Sequence, residues 1–180
     1  MARPQVLLIT LVCLSLHSPA QSTVSPAAGA ASCQSAPDFT VKTAIADQAV
    51  QPQPGKALVY FIETIQNSGP GNPKPTLAAG VDGTWPGATR GNSYFYFFVD
   101  PGVHHLCASM PPVFFASSAD SMAAAHFTAE AGRVYYFQAV WIGGTTTMSV
   151  TLKPLDSDEG ELLTSSYKLA TSQVKKVKRR

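Results

Sequence analysis

Four side chains in this sequence belong to the types that ligate metals or activate nucleophiles: His104, His105, Cys107 and His126. His104 and His105 are adjacent in VHHLCAS (103–109), a segment that reads as a strand, so their rings point to opposite faces. His105 and Cys107, at i and i+2, share one face, and His126 can approach that face only from another element. A zinc site takes three or four such ligands. A pair is all the spacing offers, so no metal and no cofactor is expected. The same pair taken as a thiol–imidazole nucleophile requires a free thiol, and a second use for that thiol exists, as argued below. A small secreted hydrolase or metal-dependent enzyme using His105 and His126 therefore stands as the alternative reading, not the first.

Other chemistry is thinly represented. No G-x-S-x-G elbow or S-x-x-K is present, and no glycine loop that would cradle phosphate. Asp156, Asp158, Glu159 and Glu161 have the composition of a calcium loop without its D-x-D-x-D-G spacing. Acidic residues at a helix N-terminus explain them more simply. Trp85 stands apart from the other rings because it lies in the turn-rich DGTWPGATRGN, beside Arg90 and Asn92. An exposed ring there would stack on a sugar or a peptide, with Arg90 and Asn92 facing the same ligand. The competing expectation is that Trp85 plugs one end of a sandwich.

The address of the chain is easier to read. Arg3, the apolar run VLLITLVCLSL (6–16) and Ser18-Pro19-Ala20 form the three parts of a secretory signal, expected to span 1–20. As a helix the run reaches only about 16 Å against roughly 30 Å of hydrocarbon, so no transmembrane helix is expected in the mature chain. Neither Cys13 nor Cys33 is preceded by a convincing lipobox. Loss of the signal leaves Cys33 and Cys107, and an even pair in an oxidising compartment is most simply one disulfide. The expected localisation is exported, periplasmic or extracellular.

Charge divides the remainder. The chain has thirteen Lys and Arg against eleven Asp and Glu. Five of the basic residues, Lys175, Lys176, Lys178, Arg179 and Arg180, crowd into the last six positions, and Arg3 belongs to the signal. Residues 21–174 thus carry seven basic and eleven acidic side chains, a formal −4. An acidic body on an exported chain argues against nucleic-acid binding. The basic tail, 174–180, suits weak contact with an anionic surface.

The elements that would position these residues are mostly strands. PAQSTVSPAAGAA (19–31) is too small-sided for a core and reads as a flexible leader, taken as 21–37. One β-rich domain is expected over 38–173. FTVKTAIA (39–46) is a candidate first strand. KALVYFIET (56–64) is apolar on both faces, as a central strand must be. TLAAGV (76–81), SYFYFFV (93–99), VHHLCAS (103–109), RVYYFQAVWI (133–142) and TTTMSVTL (145–152) follow, divided by Asp82-Gly83, Asp100-Pro101-Gly102 and Gly143-Gly144. MAAAHFTAE (122–130) fits helix or strand. Met148, Val150 and Leu152 alternate with Thr and Ser, so one side faces the core. Asp156-Ser157 caps an expected helix through DEGELLTSSYKLA (158–170), with Leu162, Leu163, Tyr167 and Leu169 as its docking stripe. The predicted fold is mostly β: an antiparallel β-sandwich with one C-terminal helix.

Four blocks carry a resemblance: GKALVYFIE (55–63), VDGTWPGATRGNSYFYFFVDPGVHHLCA (81–108), HFTAEAGRVYYF (126–137) and LDSDEGELLTSS (155–166). Together they resemble the bacterial domain of unknown function (DUF) 2846 family, over most of 55–170. The VDG…VDPGVHHL pattern is also similar to PEGA-type, prealbumin-like sandwich modules, in which a Pro-Gly turn launches a core strand. The resemblance implies an exported domain of uncharacterised biochemical role. The expected function is a non-enzymatic cell-envelope binding or structural module, whose partner is an envelope polymer or protein.

Overall fold

β2 (Ala57–Gln66) explains the architecture, because every side chain from Ala57 to Glu63 is buried. Alternate residues of a strand face opposite ways. Ala57, Val59, Phe61 and Glu63 point to one face, Leu58, Tyr60 and Ile62 to the other, and both faces need cover. In the computed structural model, which describes residues 33, 36–46, 48, 50–66, 74–110, 122–143 and 148–176, a second sheet covers the first face and a short helix with the segment around 45–52 covers the second. The expected signal peptide, nearly all of the leader, and Lys178, Arg179 and Arg180 lie outside the described residues.

The remaining elements in chain order are β1 (Phe39–Ala44), before β2, then β3 (Thr76–Val81), β4 (Thr84–Arg90), β5 (Ser93–Val99), β6 (Gly102–Ser109), β7 (Met122–Ala129), β8 (Val134–Gly143), β9 (Met148–Leu155), helix α1 (Ser157–Ser166) and β10 (Lys168–Val174). Six strands form one sheet in the order β1-β10-β5-β2-β8-β9, and four form the other in the order β4-β3-β6-β7. The β-sandwich, with one helix among the described residues, near the C-terminal end, is thus the observed fold. It is more mixed than an antiparallel reading implies, since β2 runs parallel to β8 and β10 parallel to β5. Neither parallel pair needs a crossover helix as its connection. The chain between β2 and β8 passes through the other sheet, and α1 turns β9 back toward β10.

Phenylalanine fills the space between the sheets. Phe61, Phe95, Phe97 and Phe137 meet Leu77, Leu106 and Trp141 there, with Phe127 and Phe137 ring centroids 4.9 Å apart. Val150 joins this core and Leu152 packs against it, while Thr151 is exposed, so the expected alternation is present. The strand runs from 148 to 155; residues 145–147 of the expected segment lie outside the described residues. At one corner the two sheets are tied directly, because the Ala88 N–H of β4 donates to Ser172 Oγ of β10 at 3.0 Å.

Two expectations are corrected. The turn-rich segment around Trp85 is a strand, β4, at the edge of its sheet, where Pro86 removes no needed ladder bond. Asp82 (φ 48°) and Gly83 (φ 80°) make the tight two-residue hairpin between β3 and β4, as a turn with two positive φ values requires. The helix is also shorter than expected. Asp156 caps it, its Oδ1 accepting from Glu159 N–H at 2.8 Å. By Thr164 its hydroxyls bond to its own carbonyls: Thr164 to Gly160 O, Ser165 and Ser166 to Leu162 O. Such local bonds favour helix ends over interiors. Tyr167 is extended (φ −100°, ψ 164°), and Lys168 onward becomes β10. Leu163, Tyr167 and Leu169 do pack on the sheet, but Leu162 is 64% exposed and does not dock.

Gly160 takes the docking role instead. It is the buried residue of α1, and a methyl group on it would overlap the Tyr136 ring. The helix lies that close to the sheet because a residue without a side chain faces it. Gly160→Ala should therefore destabilise the domain by about 1–3 kcal/mol through overpacking, against a helix-propensity gain of about 1 kcal/mol. Urea unfolding measures the sign, and a net stabilisation would show that α1 can lift off without cost.

Cys33 and Cys107 are bonded, with Cα atoms 5.5 Å apart and a sequence separation of 74. Both are buried, so the leader is anchored at Cys33 rather than free up to 37. Cys107→Ser should lower stability by about 4 kcal/mol, as loss of a loop of this length implies. The same unfolding experiment, run on oxidised wild type and variant, tests it; equal midpoints would mean the bridge does not constrain the unfolded chain.

Candidate functional site

The histidines come first, because their chemistry is the most versatile. His104 and His105 do face opposite sides of β6. His104 points inward at the sandwich rim, its Nδ1 2.5 Å from Asp82 Oδ2 and its Nε2 2.7 Å from the Asp100 carbonyl. The other Asp82 oxygen accepts from His105 N–H at 2.9 Å. Asp100 is paired in turn with Lys56 at 2.7 Å. With both ring nitrogens engaged, His104 ties the β3–β4 turn to the β5–β6 turn. His105 and His126 stand directly opposite each other on β6 and β7, on one outer face. Cys107, two residues from His105, is in the disulfide and is not a thiolate. Among the described residues no group of three His, Cys, Asp or Glu is arranged to hold a metal.

Trp85, Arg90 and Asn92 do not converge. β4 bulges between its pairings with Ala79 and Val81. The bulge sets Trp85 over Gly80, where an added Cβ would come within 3.1 Å of the indole. Half-buried Trp85 packs with Phe39, Ala78 and Ala88 on the outer face of the four-stranded sheet, neither at the sandwich end nor standing free. Arg90 is exposed at the other end of β4. Asn92 turns toward β2, its Oδ1 accepting from Ile65 N–H at 2.9 Å.

A different set of residues does converge. On β2, β5 and β8 the inward face carries Phe61, Phe95, Phe97 and Phe137, while the outward face carries Tyr60, Tyr94, Tyr96 and Tyr136. Tyr135, inward, and Phe98, outward, are the exceptions. Tyr96, Tyr60 and Tyr136 are register partners across three neighbouring strands. The Tyr60 and Tyr136 rings are stacked at 5.0 Å, and Tyr94 and Tyr96 tilt against Tyr60 at 5.9 and 6.0 Å. Tyr167, at the end of α1, joins them, its hydroxyl 3.4 Å from Thr64 Oγ1, which also accepts from Gln138 Nε2 at 2.9 Å. Together they line a groove of about 950 Å³. Its walls are α1, through Glu161, Thr164 and Ser165, and the segment between β1 and β2, through Ile45, Gln48, Gln51 and Pro52.

The electrostatics of this groove are simple. Burial pushes the Tyr60 phenol up to about 12; neighbouring Tyr136 and Tyr94 add to this, the Val50 backbone opposes it, and Tyr96 adds a little more. Burial likewise raises Tyr94 and Tyr136, the latter helped by the Glu161 carboxylate. These phenols stay protonated at neutral pH and act as uncharged donors and acceptors. Among the described lining residues Glu161 is the one formal charge. The sequence alone does not single out this groove, because rings on both faces of a strand indicate core first, and Tyr60, Tyr94 and Tyr136 are indeed buried. The signal was present in the alternation of Tyr with Phe, because a hydroxyl in every second position marks a face that meets polar partners.

Compared with known proteins, the chain matches no family model and no curated protein. No described helix is long and apolar enough to cross a membrane.

Glu63 is the buried group that the groove does not use. It lies between the sheets with no exposed surface, and neither carboxyl oxygen has a hydrogen-bond partner among the described residues. Trp141 Nε1, on the same face of the neighbouring strand, is also buried without a partner. Burial raises the Glu63 carboxyl to about 7, against smaller opposing pulls from Thr89, the Gly91 backbone, Arg90 and Lys74. Its folded value thus lies above the unfolded value of 4.5. Between these values the native state holds a proton that the unfolded chain has lost, so stability falls as pH rises through that window. The loss should total on the order of 3 kcal/mol. Glu63→Gln should remove the slope and stabilise the domain above about pH 7. Denaturant midpoints measured across pH for both proteins decide it; an unchanged slope in the variant would assign the pH dependence to other groups.

Proposed function

We propose that this protein is an exported, non-enzymatic binding module of the cell envelope, and that the tyrosine-lined groove beside α1 is its ligand site. One observation carries the reading: five tyrosines from β2, β5, β8 and the end of α1 border a single open groove. Tyr60, Tyr94 and Tyr136 are buried while Tyr96 and Tyr167 are half-buried, and each keeps a hydroxyl that a purely apolar face of Phe would lack. Tyrosine presents an apolar edge and a hydroxyl on a stiff side chain, which suits recognition at low entropic cost. Volumes of this size accommodate a small molecule or a few units of an extended chain.

Export is supported by the signal-like leader and by a disulfide that reducing compartments would disfavour. The four sequence blocks resembling the DUF2846 family support an envelope role. The basic end of the chain, of which exposed Lys175 and Lys176 are described, suits weak attachment to an anionic envelope surface. The hydrolase reading gains nothing specific, since His105 and His126 are register partners and no group of three His, Cys, Asp or Glu forms around them among the described residues.

Ligand-observed NMR of envelope-type small molecules, oligosaccharides and short peptides tests the site. Hits should lose their signal in Ser165→Trp, which places a large ring in the groove from an exposed helix position. Hits that persist in that variant would move the ligand site elsewhere, and an absence of hits would overturn the reading.

A further inference from the structure

We infer that the groove takes an organic cation, a substituted ammonium group held over tyrosine rings beside Glu161. This rests on the groove being a ligand site and specifies what it selects. Three features of the groove lead to it.

The first is the ring geometry. Tyr60, Tyr94 and Tyr136 are buried, with Tyr60 and Tyr136 stacked, while half-buried Tyr96 and Tyr167 keep ring surface open to the groove, Tyr96 at 58° to Tyr60, so the open ring surface forms an angled wall rather than a flat platform. The π faces of such walls are negative and attract a cation that has shed its water. The second is charge. The chain carries thirteen Lys and Arg, yet no described residue lining the groove is Lys, Arg or His. Glu161 lies close enough to raise the Tyr136 phenol, and unlike Glu159, which pairs with Lys153, it has no ion-pair partner among the described residues. An exposed carboxylate left unpaired beside aromatic rings is a half-built cation site. The third is exclusion. An anionic ligand would find no positive group there, and the carboxylate would repel it.

Alkylammonium ligands match these features better than strongly hydrated inorganic ions, because they lose little hydration on meeting rings. The recognition is by charge and shape together, so a neutral molecule of the same shape should bind less well.

Choline and dimethylbutanol, its neutral carbon isostere, separate the two contributions. Titrated by calorimetry into the intact exported protein, choline should bind about ten-fold more tightly than the isostere. Glu161→Gln should weaken choline by about three-fold and leave the isostere unchanged. Tyr96→Leu, at a half-buried ring, should weaken choline by about five-fold, and circular dichroism confirms that each variant is folded. Equal binding of choline and isostere would overturn the cation inference while leaving the groove a ligand site. So would neutral NMR hits that vanish in Ser165→Trp while choline stays silent. Failure of every probe, charged or neutral, would overturn both readings.

Discussion

A buried tyrosine has two demands that a buried phenylalanine does not: its ring must leave water, and its hydroxyl must keep a polar partner. On the six-stranded sheet these demands are separated by the pleat. The face toward the second sheet is mainly Phe, Val and Ala and closes into an apolar core. The opposite face of the same strands is Tyr-rich and is covered only in part. β2 belongs fully to both environments, and for this reason it tolerates no exposed position from Ala57 to Glu63. Its neighbours β5 and β8 repeat the division except at Phe98 and Tyr135, and the alignment of Tyr96, Tyr60 and Tyr136 is a consequence of register. A slip of one residue would send phenols into the core and phenylalanines to the groove.

The elements around this sheet act as supports for that division. Gly160 lets α1 lie against Tyr136, and the hydroxyl-rich end of the helix stops it in time for β10 to enter the sheet. On the other side, His104 and Asp82 pin two turns together. The disulfide fastens the N-terminal segment across the outer face of the four-stranded sheet. Glu63 and the Trp141 indole N–H are the exceptions to a well-satisfied interior among the described residues, and Glu63 is the ionisable one. Its cost is small only while it holds a proton, so the sandwich carries a built-in preference for mildly acidic conditions.

Sequence reading recovered the strands best where pattern and punctuation agreed. KALVYFIET is apolar on both faces and is the central strand; Asp82-Gly83 is the hairpin turn it resembles. It failed where a tertiary feature decided the outcome. The segment around Trp85 has the composition of a loop, and it is a strand because an edge position excuses Pro86 and a bulge lets the indole lie over Gly80. The helix was read too long because Tyr167 and Leu169 continue its apolar spacing. That spacing also suits one face of β10, and the local hydroxyl bonds of Thr164, Ser165 and Ser166 favour ending the helix. The candidate site was the least legible part. Trp85, Arg90 and Asn92 are neighbours in sequence but lie apart in the sheet. The residues that converge come from β2, β5, β8 and α1, and only the Tyr/Phe alternation hinted at a shared face.

Solvation offers a simpler account of the tyrosines, and its limit is instructive. The six-stranded sheet is about 24 Å across at ordinary strand spacing, while a single helix covers roughly 10 Å. Part of the outer face must therefore meet water, and Tyr is a reasonable residue for a half-wet surface. A face designed only for water would nevertheless carry the Lys, Glu and Asp that dominate exposed strands. Here the described lining has many uncharged polar groups and one unpaired carboxylate. The exposed ends of the same strands show the usual pattern, with Lys56 and Asp100 paired beyond the last rings. Charges are thus accepted elsewhere on this sheet and withheld from the groove. Partial cover explains why the groove is open, and the proposed ligand site would also account for a lining that is nearly free of charge.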